Sequence, residues 1–293
     1  MPITEPRSEF YESQRLRMHY VVWGDGGTPK PALLLVHGGQ DHCRNWDFVA
    51  QRLAPWYTIY APDLRGHGDS AWAIGGMYSL PEFVLDVATL ANNLPPPITL
   101  MGHSLGGAIV LQYAGIYPER VHKVIAIEGW GPPSFTIPPA HGRMRQWIEH
   151  MHEMERRKPR RYTTLEDATR RMMEANPHLT PDMAHHLTLH GTRRNEDNTF
   201  SWKFDNYVRI HSPYGFNLED ARDIWAQISA PTLLIRGSES WALDPDKDGR
   251  CSVIRHRRTV VIPNAGHWVH HDQLEAVMSV VTDFLAQEGS PGP

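Results

Sequence analysis

Cysteine is scarce: only Cys43 and Cys251 occur in 293 residues. Two cysteines cannot build a disulfide framework, and neither has metal-site or redox spacing, so the sequence fits a reducing compartment or indifference to redox state. Excess positive charge is also lacking. With 29 Lys and Arg against 33 Asp and Glu, the net charge of −4 gives nucleic acid or an anionic membrane no purchase. No apolar stretch approaches the length that spans a bilayer, and Met1-Pro2-Ile3-Thr4-Glu5-Pro6 lacks a secretory pattern, so a cytoplasmic protein is expected. There is no internal repeat or low-complexity tract. The local exception in charge, Glu155-Arg156-Arg157-Lys158-Pro159-Arg160-Arg161, reads as a solvated helix end and loop.

What is present is an alternation of two periods. Leu16–Trp23 alternates as a strand and ends at Gly24-Asp25-Gly26-Gly27. Ala32–Val36 is a continuous apolar run, suited to a strand covered on both faces. Trp46, Val49, Ala50 and Leu53 fall at helical spacing within 45–53. A strand over 57–61 and a helix over 80–94 follow, the latter with Ser79 as N-cap and Pro81 in its first turn; Val121–Ile127 is another strand. The pattern predicts an α/β fold with a mostly parallel, doubly wound sheet.

After Gly129 the alternation stops. Residues 131–228 read as helical and polar, opening on the Pro-rich Gly131-Pro132-Pro133 and Ile137-Pro138-Pro139. Strands at 231–235 and 259–262 and a helix over 272–285 resume the pattern. The expected organisation is a core of 1–130 and 229–293 interrupted by a helical lid at 131–228, placed over the strand ends where ligands bind. Gly289-Ser290-Pro291-Gly292-Pro293 reads as a disordered tail.

Gly102-His103-Ser104-Leu105-Gly106 matches Gly-x-Ser-x-Gly between the apolar Ile98-Thr99-Leu100-Met101 and a helical stretch, 108–117. A serine nucleophile needs its hydroxyl on a tight strand-to-helix turn, which flanking glycines permit. The following helix directs its N-terminal amides at the reaction centre. Other stretches follow in a matching order: His37-Gly38-Gly39, Asn45-Trp46-Asp47, Ala61-Pro62-Asp63-Leu64-Arg65-Gly66-His67-Gly68-Asp69-Ser70 and Ala265-Gly266-His267-Trp268. With them the chain resembles the α/β-hydrolase superfamily over about 1–130 and 230–287. The inserted lobe resembles it only in position and helical character.

The resemblance implies Ser104 as nucleophile, His267 as base, and the amides of Gly39 and Leu105 as the oxyanion hole. Glycine at 39 would keep a side chain out of a crowded mouth. Of the eighteen histidines, His270 and His271 lie a turn further on, His103 belongs beside its strand, and His37 is read as fixing the oxyanion loop. His186 and His190 have the i, i+4 spacing of metal ligands, but without a third ligand motif no metal is expected. The stretch Asp63 to Ser70 reads as a structural turn.

The acid is the open position. In most relatives it lies three residues beyond a glycine; counted from Gly237, that position is Ser240, which cannot carry charge. Glu128, Asp244 and Glu239 are the alternatives. Glu128 is preferred, because a charge directly after the apolar Val124-Ile125-Ala126-Ile127 is costly without a partner. It also resembles the glutamate that haloalkane dehalogenases and some lactone-cleaving hydrolases place after this strand. Its bland alternative is a carboxylate capping the loop into the lid.

Trp130, Trp147, Trp202, Tyr207 and Trp225 are candidates to line an apolar pocket, each also a candidate for lid core. The expected activity is cofactor-free cleavage of a small carboxylic ester or lactone through an acyl-enzyme. Carbon–carbon hydrolysis, perhydrolysis or a catalytically silent ligand-binding role are the alternatives. Association into a homo-oligomer through the lid is a further expectation.

Overall fold

The alternating text becomes one sheet with helices on both faces. The computed structural model describes residues 5–27, 29–131, 139–215, 217–247 and 249–287. The Pro-rich stretch at 132–138, with which the expected lid opens, and the tail at 289–293 lie outside them. The strands are β1 (Arg7–Ser13), β2 (Leu16–Trp23), β3 (Ala32–Val36), β4 (Thr58–Pro62), β5 (Ile98–His103), β6 (Val121–Ile127), β7 (Thr192–Arg194), β8 (Phe200–Trp202), β9 (Thr232–Gly237) and β10 (Arg257–Ile262). The main sheet runs β1-β2-β4-β3-β5-β6-β9-β10, and only its β1–β2 and β2–β4 pairs are antiparallel. This is the predicted α/β arrangement.

β3 shows why both faces are covered. Leu33 and Leu35 enter one core cluster, while Ala32, Leu34 and Val36 enter the other, as the two-residue strand period requires. Helix α1 (Asp47–Leu53) packs on the first face. Helices α2 (Leu80–Ala91) and α3 (Leu105–Ile116) pack on the second. Ser79 and Glu82 form a capping box at the start of α2, which ends at Ala91, earlier than expected.

Between β6 and β9 lie α4 (Ala140–Arg156), α5 (Leu165–Ala175), α6 (Pro181–Gly191) and α7 (Leu218–Trp225). The region is not wholly helical as predicted: β7 and β8 form a hairpin whose turn carries Asn198 at φ +62°. Helices α8 (Val269–Asp272) and α9 (Leu274–Ala286) close the described chain. β1 escaped the sequence reading because it is a mostly exposed, polar edge strand, joined to β2 through Gln14 and Arg15 at positive φ without a glycine.

Strand order positions the site. The chain leaves β3 for β4 on one side and returns to β5 on the other, so the loops after β3 and β5 diverge at the carboxyl ends of neighbouring strands. Open α/β sheets bind ligands at such a point. The backbone ladder continues beyond the strands: the Ser104 amide donates to the Ile127 carbonyl at 2.8 Å, and the Glu128 amide to that of Ile235 at 3.0 Å.

Buried histidines give the fold an acid limit. Burial pushes His37 and His42 down to about 4, and His67 and His271 to about 3. An unfolded histidine titrates near ~6.5, so these groups' contribution is whole above that pH and is lost as pH falls toward the folded values. Asp41, pushed up to about 7 by burial, acts in the opposite sense but is one group against several. Urea unfolding is expected to show at least about 3 kcal/mol less stability at about pH 5 than at about pH 7. Equal stability at both would contradict this.

Candidate active site

Ser104 sits between β5 and α3 with φ +53° and ψ −115°, a strained conformation for a residue with a side chain. Its glycine neighbours are required by contact. A Cβ on Gly102 would lie 2.2 Å from the Gly106 carbonyl oxygen, and one on Gly106 would lie 2.0 Å from that of Val36. The turn therefore fits only because the helix start can press against the sheet.

The loop after β10 brings His267 to this hydroxyl. Its Nε2 is 2.9 Å from Ser104 Oγ, and its Nδ1 faces Glu128 Oε2 at 3.4 Å. The second contact has ion-pair distance without good hydrogen-bond alignment. Positive charge on the imidazole would draw it tighter. Glu128 is buried and, like Ser104, has positive φ, +57°. Its Oε1 accepts the Gly237 amide and its Oε2 accepts the Ser240 hydroxyl, each at 2.6 Å. Ser240, at the place where most relatives would carry the acid, thus holds the glutamate that faces the histidine.

The other two carboxylates are turned away. Glu239 pairs with His178 at 3.5 Å, and Asp244 accepts the Asp246 amide at 3.0 Å and lies 3.6 Å from Lys247. The histidine loop is pinned at several points. His103 Nε2 donates to the His267 carbonyl at 2.8 Å, and the Gly266 amide donates to Asp272 at 2.8 Å. Burial and the neighbouring His267 hold His103 well below the usual histidine range, keeping it neutral. The indole of Trp241 stacks on His267, with ring centroids 4.4 Å apart.

The alpha/beta hydrolase family model matches residues 33–280. The chain belongs to the α/β hydrolase family. This hydrolase is 28% identical to a serine hydrolase-like protein of Danio rerio, across 92% of this chain and 85% of that protein. It is 27% identical to an esterase of Mycobacterium tuberculosis, across 97% and 91%. Its fold matches the thioesterase domain from the curacin biosynthetic pathway with a TM-score of 0.83 at 23% identity, covering 96% of this chain and all of that domain.

In the hydrolase a cavity of about 1540 Å³ opens over Ser104 and His267, with Gly39, Leu105 and Glu128 in its wall. Gly39 is not crowded as expected, since a Cβ there meets nothing within 4 Å. The crowded residue is Gly38, whose Cβ would lie 3.0 Å from His103 Nδ1. Of the aromatics expected to line the pocket, only Trp202 does. Trp130 is buried with its N–H on the Leu243 carbonyl, Trp225 belongs to the core, Tyr207 packs against that core, and Trp147 on α4 stays outside the cavity wall. Trp130, Trp225 and Tyr207 serve packing, whereas the cavity draws on Trp72, Tyr162, Phe204 and Trp241 from loops and strand ends.

His37 accepts the Leu64 amide at Nε2, 3.0 Å, and donates from Nδ1 to the Gly38 carbonyl, 2.6 Å, so its ring ties the β3 loop to the turn after β4. In that turn the buried Asp63 accepts from His19 and from the amides of Cys43 and Asp69. His186 and His190 do meet a third group, Asp47. Arg44 reaches both Asp47 oxygens and His186 contacts one at 3.1 Å, a clamp between α6 and α1 that disfavours a further cation. The sequence reading missed Ser240 and Trp241 as supports; the available signal was that Ser240 occupies the usual acid position and Trp241 follows it.

Proposed function

We propose that the chain is a serine hydrolase that cleaves a carboxylic ester or lactone through an acyl-enzyme on Ser104. The observation that carries this reading is the 2.9 Å contact between His267 Nε2 and the Ser104 hydroxyl, backed by Glu128. His267 takes the hydroxyl proton as Oγ attacks the substrate carbonyl, and the buried Glu128 carboxylate stabilises the imidazolium. The amides of Gly39 and Leu105 receive the oxyanion. Collapse expels the alcohol, which takes the proton from His267. Water then attacks the acyl-enzyme by the same route and releases the acid and free Ser104. The relative named an esterase supports ester chemistry.

Acid-quenched turnover tests this. Protein mixed with p-nitrophenyl butyrate is expected to carry a butyryl group on the peptide containing Ser104, after a fast release of p-nitrophenol. Hydrolysis without an acyl group on that peptide would overturn the reading.

A further inference from the structure

The charge run that reads as a solvated helix end lies on the cavity wall. Arg157, Lys158 and Arg160 from the segment after α4 line it, joined by Arg171 of α5, Arg193 of β7 and Arg209. The acidic residues in that wall are Asp41, Glu128 and Asp220. Glu128 is engaged by Gly237, Ser240 and His267. The cations therefore outnumber the available carboxylates, in a chain whose net charge is −4.

Their partners are of an unusual kind. Among the described residues, Arg171 pairs with Glu174 at 3.2 Å, while no ion pair forms at Arg157, Lys158, Arg160, Arg193 or Arg209. Three guanidinium groups instead lie over aromatic rings of the wall: Arg160 over Tyr162 at 5.3 Å, Arg193 over Trp72 at 5.2 Å and Arg209 over Phe204 at 5.2 Å. Stacking orients a guanidinium without using its N–H donors or neutralising its charge. Arg209 is also pushed below the ordinary arginine value, by burial and then by Arg157 and Arg171, with Tyr162 opposing them. Mutually repelling cations held in place by rings, with donors free, match an incoming oxyanion.

We propose that this cavity selects esters bearing a terminal anionic group, carboxylate or phosphate, which Arg157, Arg160, Arg193 and Arg209 hold while the ester lies at Ser104. The proposal rests on the reading of the cavity as the substrate site. Because these arginines are exposed, the attraction is screened by salt.

Binding to the Ser104→Ala protein separates recognition from turnover. Two ester series are used, one extended on the acyl side and one on the alcohol side, each ending in methyl, carboxylate or phosphate. In at least one series calorimetry is expected to give an anionic member bound about tenfold tighter than its methyl partner at low salt, the scale of one charge-assisted contact. The preference is expected to shrink below about threefold near ~1 M salt, where screening acts within ~3 Å. Arg157→Gln combined with Arg209→Gln is expected to remove most of it. Equal binding of methyl and anionic members in both series, or a preference that survives salt or the double substitution, would overturn the proposal. Should the double variant fail to fold, the salt series on the arginine-intact protein decides. If unsubstituted protein turns over neutral esters without preferring anions, this proposal alone fails. If it binds anionic esters tightly yet cleaves none, the esterase reading alone fails.

Discussion

Glu128→Gln is expected to lower kcat for a simple aryl ester by about 10²- to 10⁴-fold with little change in KM, the range seen when a base loses its orienting charge. Glutamine keeps the shape: its carbonyl oxygen accepts the Gly237 amide, and its NH2 donates to the Ser240 hydroxyl, which turns to accept. It removes the negative charge facing His267 Nδ1 at 3.4 Å. The loss therefore falls on the step in which the imidazole becomes positive. Glu239→Gln and Asp244→Asn, whose carboxylates face His178 and the 244–247 turn, are expected to stay within about threefold of the original rate, as surface changes away from the reacting atoms do.

The same geometry predicts a partial rescue. Ser240 Oγ lies 2.6 Å from the Glu128 carboxylate, so an aspartate at 240 places its charge in nearly the same space. Adding Ser240→Asp to Glu128→Gln is expected to recover about tenfold or more of the lost kcat, because the orienting charge returns. In the protein with Glu128 intact, Ser240→Asp sets two carboxylates against each other and lowers activity. A near-normal rate for Glu128→Gln would remove the acid assignment.

Ser104→Ala carries the largest expected loss, at least about 10⁴-fold in kcat, since the covalent route disappears and only binding and the oxyanion amides remain. The hydroxyl is the only atom removed from a turn whose backbone strain and glycine contacts belong to the scaffold. Melting temperature is therefore expected to hold or rise, as is common when a functional group is removed at the expense of activity. Lost activity together with a collapsed melting transition would assign Ser104 a structural role instead.

Much of this was legible in the residues. Strands such as Ala32–Val36 and Val121–Ile127 are continuous apolar runs because parallel strands are covered on both faces, and the order of motifs ran through the whole core. The preference for Glu128 came from the cost of a charge at the end of such a run and from the resemblance to hydrolases with a glutamate there, and the structure puts that carboxylate beside His267. The pocket was not legible. Whether a tryptophan lines a cavity or fills a core depends on which way its element is rolled, and Trp130 and Trp225 went inward. Arg157 and Arg160 are solvent-exposed, as the sequence predicts; that they also share a cavity wall with Tyr162 and Phe204 depends on the fold.

The central claim, that Ser104 is an activated nucleophile, is tested most directly by a fluorophosphonate probe and peptide mass spectrometry. Folded protein is expected to lose activity in step with one phosphonyl group appearing on the peptide containing Ser104, with none on Ser104→Ala. Folded protein left unlabelled at Ser104, or losing activity through modification elsewhere, would contradict the account.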